Sequence, residues 1–151
     1  MSVRIIADTG SDLPADLLEQ YDIEMIPLKV TFDDNETYLD RIEISPAQFV
    51  EKMLNSKTLP KTSAPDPQTI ISSYEKGLKE AGEVIFICIS SALSSTFQTG
   101  QMARDMLDSN NVKVFDTLTA SLGTGIAAVK AARMAARGLK ADDIIKQLTE
   151  H

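Results

Sequence analysis

The sequence predicts an α/β domain: a mostly parallel sheet with helices on both faces. Strand-like apolar runs alternate with helix-like segments along the whole chain. The most apolar run, Val84-Ile85-Phe86-Ile87-Cys88-Ile89, lacks polar alternation and reads as a strand buried on both faces. Helix openings carry capping chemistry: Ser45-Pro46-Ala47-Gln48, Asp66-Pro67, and Ser95 followed by Gln98.

Val3 to Ala7 forms a first strand that ends in the turn Asp8-Thr9-Gly10-Ser11-Asp12. Pro14 opens a short helix with Leu17 and Leu18, and Asp16 sits in its first turn. Met25 to Phe32 reads as one strand, which Pro27 confines to an edge or a strand start. Asp33-Asp34-Asn35 is a turn, and Glu36 to Leu39 returns as a hairpin arm. The helix opened by Ser45 directs Phe49, Met53 and Leu54 inward. Leu59 to Pro67 holds three prolines and no apolar period, so an extended loop is expected. Asp66 then caps a helix with Ile70, Ile71, Tyr74 and Leu78 on one face, stopped by Gly82. After the buried strand, Phe97, Met102, Met106 and Leu107 read as the buried stripe of the next helix. Val112 to Phe115 is a further strand, followed by an alanine-rich helix from about Leu122 to Ala136 that Gly138 closes. Asp142 and Asp143 mark the first turn of a last helix whose pattern still runs at His151. That pattern raises the expectation of a second domain beyond residues 1–151.

The 151 residues, 43% of them hydrophobic, suffice for one sizeable core. The net charge of −7, with acids and bases interspersed, disfavours nucleic acid or an anionic membrane surface as partner. No apolar stretch approaches the roughly 20 residues of a membrane span. Met1 to Arg4 runs straight into the first strand without a signal peptide, so a cytoplasmic protein is expected. The lone Cys88 reads as a buried structural thiol, and His151 is the only histidine. A Ser-His-Asp or Cys-His centre, a His/Cys metal site and a cofactor are therefore not expected.

Five of the seven residues from Ser90 to Thr96 carry a hydroxyl, between a buried strand and a helix. Such a turn puts small donors and unpaired helix N–H groups at the strand's carboxyl end, where α/β sheets hold ligands and anions are favoured. Thr62-Ser63-Ala64-Pro65 places more hydroxyls in a proline-stiffened segment. The acidic turn Asp8 to Asp12 is open to two readings, turn chemistry or a magnesium site for phosphoryl transfer. Gly123-Thr124-Gly125-Ile126-Ala127-Ala128 fits a dinucleotide pattern, but Asp116 to Ser121 separates it from the preceding strand. No strand follows to supply a ribose-binding acid.

Ile6 to Pro14, Ile26-Pro27-Leu28, Tyr38-Leu39-Asp40, Pro60 to Pro65, Ser90 to Thr96, and Asp116-Thr117 with Ser121-Leu122-Gly123-Thr124-Gly125 follow one another in an order and spacing that resemble the DegV family of bacterial fatty-acid-binding proteins. The resemblance covers the whole chain. It implies a non-catalytic protein that binds one long-chain fatty acid between two α/β domains and serves as the acyl-presenting subunit of a fatty acid kinase. The family's carboxylate-binding threonine falls on Thr62 and its carboxylate-binding serine on Ser94. Ser63, Ser95 and Thr96 are the neighbouring ligand-binding expectations, with Asp8, Ser121 and Gly123 supporting them from behind. Ser95 stands where the family usually has glycine, and Gly10 where it usually has a hydroxyl. The chain resembles the family's N-terminal domain, and the family's C-terminal domain is absent from it. Two other classes stay open: a magnesium-dependent phosphotransfer enzyme using Asp8, Asp12 and Asp116, and an interaction domain without a ligand.

Overall fold

The computed structural model describes residues 2–150; His151 lies outside them. Along the chain run β1 (Ser2–Asp8), α1 (Ala15–Gln20), β2 (Glu24–Ile26), β3 (Lys29–Phe32), β4 (Glu36–Leu39), α2 (Pro46–Asn55), β5 (Lys61–Ser63), α3 (Pro67–Ala81), β6 (Gly82–Cys88), α4 (Thr96–Leu107), β7 (Val112–Asp116), α5 (Leu122–Ala136) and α6 (Ala141–Thr149). Four strands form a parallel sheet in the order β2-β1-β6-β7. The period-2 alternation of strand side chains divides the core into two layers. Val3, Ile5, Ala7, Ile85 and Ile87 face α1, α5 and α6, whereas Ile6, Val84, Phe86 and Cys88 face α3 and α4. Helices thus cover both faces of the sheet, and every residue from Val84 to Cys88 is fully buried.

From β1 the chain turns to β2 on one side, and later places β6 and β7 on the other. The reversal creates a switch point between β1 and β6, and the loops after those strands flank it. α3 stops at Gly82, whose φ of 92° a side-chain-bearing residue rarely adopts.

The segment expected as one strand from Met25 to Phe32 is two strands in different sheets. Pro27 has no N–H to continue the parallel ladder, so pairing stops at Ile26 and resumes at Lys29 in a three-stranded antiparallel sheet, β4-β3-β5. The segment Leu59 to Pro67 is not wholly loop either. Lys61–Ser63 pairs with β3 as an exposed edge strand, too short and polar to show a period. Val30, Phe32 and Ile44 form a small core there with Phe49 and Met53 of α2, but Leu54 points outward.

The expected stripe of α4 holds in part. Phe97 and Leu107 pack against the core, but Met102 and Met106 are 51% and 65% exposed, and the fully buried face is Thr96, Gly100 and Ala103. Small residues let α4 approach closely: a Cβ on Gly100 would stand 3.0 Å from Phe86, and the Tyr74 hydroxyl donates to the Gly100 carbonyl.

Candidate functional site

Three loops leave the carboxyl ends of β1, β6 and β7, and hydrogen bonds tie them into one unit. The Ile89 N–H donates to Asp8 Oδ2 at 2.9 Å, and the Ser121 N–H to the Gly10 carbonyl at 2.9 Å. Ser90 N–H donates to the Thr119 carbonyl at 2.7 Å, and Thr117 donates its hydroxyl to the Cys88 carbonyl at 2.8 Å. Asp116 Oδ1 accepts from the Ser91 and Leu118 N–H groups. Leu118 and Ser121 stand at φ 56° and 51°, a region costly for residues other than glycine, so the loop after β7 is held in a strained shape.

Within the hydroxyl turn, Ser94 Oγ accepts the Thr96 N–H at 3.1 Å and lies 2.8 Å from Thr96 Oγ1. Thr96 is fully buried, and Ser94 Oγ is the hydrogen-bond partner of its hydroxyl. Either hydroxyl can donate in this pair; the arrangement in which the buried Thr96 donates satisfies its O–H and leaves the half-buried Ser94 O–H free for a ligand. Ser95 is exposed, and the capping box expected between it and Gln98 does not form; Ser94 supplies the hydroxyl acceptor instead. At the next helix upstream, Asp66 makes no side-chain cap, because its carboxylate pairs with Lys29.

Thr62 and Ser63 lie exposed on β5, opposite Val30 and Lys29. That sheet is tethered near the end of β1, since the Leu28 N–H donates to Thr9 Oγ1 at 3.0 Å and Arg41 donates to the Leu13 carbonyl. The smaller sheet that carries Thr62 and Ser63 is thus anchored to the turn after β1. Among the described residues no hydrogen bond joins Thr62 or Ser63 to the Ser90–Thr96 turn.

Asp8 is fully buried at the centre; its Oδ1 has no partner at good hydrogen-bond geometry, and the Gly10 N–H is near enough to favour the charged carboxylate. Burial pushes its pKa up to about 6, against the Ile89 and Gly10 N–H groups, with the Asp12 charge adding to the rise. Burial also pushes the Cys88 thiol well up, consistent with a structural role. Asp8, Asp12 and Asp116 do not converge: among the described residues no group of three His, Cys, Asp or Glu side chains could hold a metal ion.

Ser121 and Gly123 begin α5. A Cβ at Gly123 would fall 2.4 Å from Thr119 Oγ1, and one at Gly125 would fall 2.9 Å from the Ser11 carbonyl oxygen. The glycines serve close packing of α5 on the loops after β7 and β1, which accounts for the pattern Gly123-Thr124-Gly125. The sequence reading missed the part played by Thr117, Thr119 and Thr124, whose hydroxyls and carbonyls brace the third loop. A second hydroxyl cluster after a strand was the available signal. A cleft of about 840 Å³ starts at this loop and follows α5 to Lys130, Arg133 and Arg137; the Ser90–Thr96 turn does not line it.

A family model described as an uncharacterised protein family, DegV, matches residues 2–151. The chain belongs to the DegV family. A DegV domain-containing protein of Clostridium perfringens is 34% identical over 149 residues, covering 99% of this chain and 53% of the relative. Protein DegV of Bacillus subtilis is 36% identical over 151 residues, again 99% of this chain and 53% of the relative. The chain spans about half the length of the curated DegV relatives it matches. The crystal structure of DegV from Bacillus subtilis, described as a fatty acid binding protein, superposes with a TM-score of 0.90 at 35% identity, over 99% of this chain and 53% of that one. A DegV family protein from Thermus thermophilus, whose structure is described in terms of fatty acid binding, gives 0.89 at 31% identity, with the same coverage.

Proposed function

We propose that the chain binds a long-chain fatty acid by its carboxylate, with Ser94 as the principal donor. The observation that carries this reading is the Ser94–Thr96 hydroxyl pair in the loop after β6; with Thr96 donating to Ser94, the Ser94 O–H is free to donate to a ligand. A carboxylate is acceptor-only and suits such a donor. Ser95 beside it, and Thr62 and Ser63 from β5, complete the hydroxyl set in this reading. Fatty acid binding in the Bacillus subtilis and Thermus thermophilus DegV proteins supports it. The acyl chain gains about 0.8 kcal/mol for each methylene buried, so most affinity comes from whatever covers the tail. Leu93, Leu118 and Leu122, 70%, 77% and 69% exposed at the same end of the sheet, offer one apolar wall. A second domain, matching the half of the relatives that this chain does not span, supplies the other wall, and the protein presents the bound acid to a fatty acid kinase.

A phosphotransfer reading has no comparable support, because Asp8 is fully buried and its Oδ2 is already bonded. The test of the fatty-acid reading is Ser94→Ala. Loss of a hydrogen bond to a charged group costs about 1.5–3 kcal/mol, so fatty-acid affinity should fall roughly ten- to hundredfold. The variant also loses the bond to the Thr96 N–H, so its thermal midpoint should drop as well. Thr99→Ala, which removes a hydroxyl bonded to the Ser95 carbonyl within α4, is the control for stability loss alone. Wild-type affinity in Ser94→Ala would place the carboxylate elsewhere.

A further inference from the structure

On the reading of the hydroxyl turn as a carboxylate site, we infer that Leu118 holds the first methylenes of the acyl tail beside the carboxylate, on a backbone strained for that contact. Leu118 stands at φ 56° with its side chain 77% exposed. A left-handed conformation is costly for a residue other than glycine, and an exposed leucine recovers nothing by burial. Five other residues at positive φ, among them Asp12, Asp33 and Asp108, are aspartates, which tolerate this conformation through local hydrogen bonds. Among the described residues Leu118 is the one apolar side chain so placed.

The strain is set by bonds within this chain. On one side of Leu118, the Thr117 hydroxyl donates to the Cys88 carbonyl at 2.8 Å. On the other, the Thr119 carbonyl accepts the Ser90 N–H at 2.7 Å and the Thr124 hydroxyl at 3.3 Å. Leu118 is clamped between them. Strain of this kind persists only where the surroundings over-determine it, and it gathers at sites that hold ligands. A side chain carried on such a backbone meets a ligand without the entropy cost of ordering a loop.

The same bonds place Leu118 at the hydroxyl turn. Its N–H and the Ser91 N–H both donate to Asp116 Oδ1, at 3.0 and 3.1 Å, so the two loops meet across a single oxygen. Three residues further on, the Ser94 N–H returns to the Ser90 carbonyl at 3.1 Å, which keeps the donor close to that junction. The part of a bound acid that reaches Leu118 is therefore the part nearest its carboxylate. Those methylenes are common to straight-chain acids of every length. Leu118 thus selects a carboxylate that carries an alkyl tail, without measuring how long the tail is.

Calorimetry and thermal unfolding of the full-length protein, wild type and Leu118→Gly, with decanoate, laurate and myristate, test this. Without ligand, the thermal midpoint of Leu118→Gly should rise by about 2–4 °C as the strain is relieved. The Kd of each acid should rise roughly tenfold, by the same factor for all three. Asp108→Gly relieves a φ of 49° at the far end of α4 from the turn, and it should raise the midpoint while leaving Kd unchanged. A midpoint of Leu118→Gly that stays level or falls overturns the inference, because the leucine is then packed against the second domain. Wild-type affinity in Leu118→Gly overturns it too and leaves the fatty-acid reading standing. A loss that grows with chain length puts Leu118 at the far end of the tail, which also overturns it. Failure of all three acids to bind the wild-type protein removes the fatty-acid reading itself.

Discussion

Asp8 links the chemistry of the site to the stability of the fold. Its carboxyl titrates at about 6 when folded and near 3.8 otherwise, so the native state holds this proton more tightly. The stabilising contribution is complete below pH 4 and is lost as pH rises through 6. In the absence of ligand, the stability of wild type relative to Asp8→Asn should therefore fall by about 2–3 kcal/mol between pH 4 and pH 7.5. Urea titrations of both proteins at the two pH values check this, and a difference that does not change with pH would contradict the assigned burial cost. At this scale the sequence showed which residue types gather at the turn, but not which oxygen faces which partner. Ser94 and Ser95 are alike in composition and spacing. The turn's backbone decides that Ser94 folds back onto the Thr96 N–H while Ser95 is left exposed.

Elements with a strong apolar period were readable before the structure; those shaped by small or missing groups were not. The alanine-rich helix from Leu122 to Ala136 and the buried strand around Val84–Cys88 stand where the pattern put them. In the sequence Pro27 signals an edge, but its missing N–H divides the segment between two sheets. On α4, apolar spacing favoured Met102 and Met106, while the sheet is met by Gly100 and Ala103. A period of 3.6 identifies a face; it does not say whether large or small residues form the contact. Gly125 follows the same logic on α5, with the Ser11 carbonyl oxygen 2.9 Å from where a Cβ would stand. Gly125→Ala should destabilise the protein by about 1–3 kcal/mol, despite the higher helix propensity of alanine. Gly138→Ala is an informative contrast: nothing lies within 4 Å of its Cβ position, and only its φ of 87° resists the change. Chemical denaturation of the two variants separates crowding from backbone strain.

Over the whole molecule, the polar loops that hold the candidate site are flanked by leucines that nothing among the described residues covers. Leu93, Leu118 and Leu122 leave the ends of adjacent strands and the start of α5. Apolar side chains gathered at one end of a domain mark a surface that meets a partner or ligand. The 151-residue chain should bind the dye 8-anilinonaphthalene-1-sulfonate at this end, and Leu93→Ser, Leu118→Ser and Leu122→Ser combined should remove most of the fluorescence gain. Equal fluorescence in the triple variant would move the apolar surface elsewhere, the α5 cleft being the next place to look.

The bonds that lock the three loops also set when the site can exist. Ile89 and Asp8 are 81 positions apart in the chain, and the Ser121 amide reaches back further still, to Gly10. Contacts of such sequence separation close late, after the entropy of the intervening chain has been overcome. The loops are thus assembled only when β1, β6 and β7 already lie side by side, and each is held by bonds to the other two. Surface loops ordinarily exchange their amide hydrogens within minutes, but the amides of Ile89, Ser90 and Ser121 should exchange as slowly as those of the central strands, through global unfolding alone.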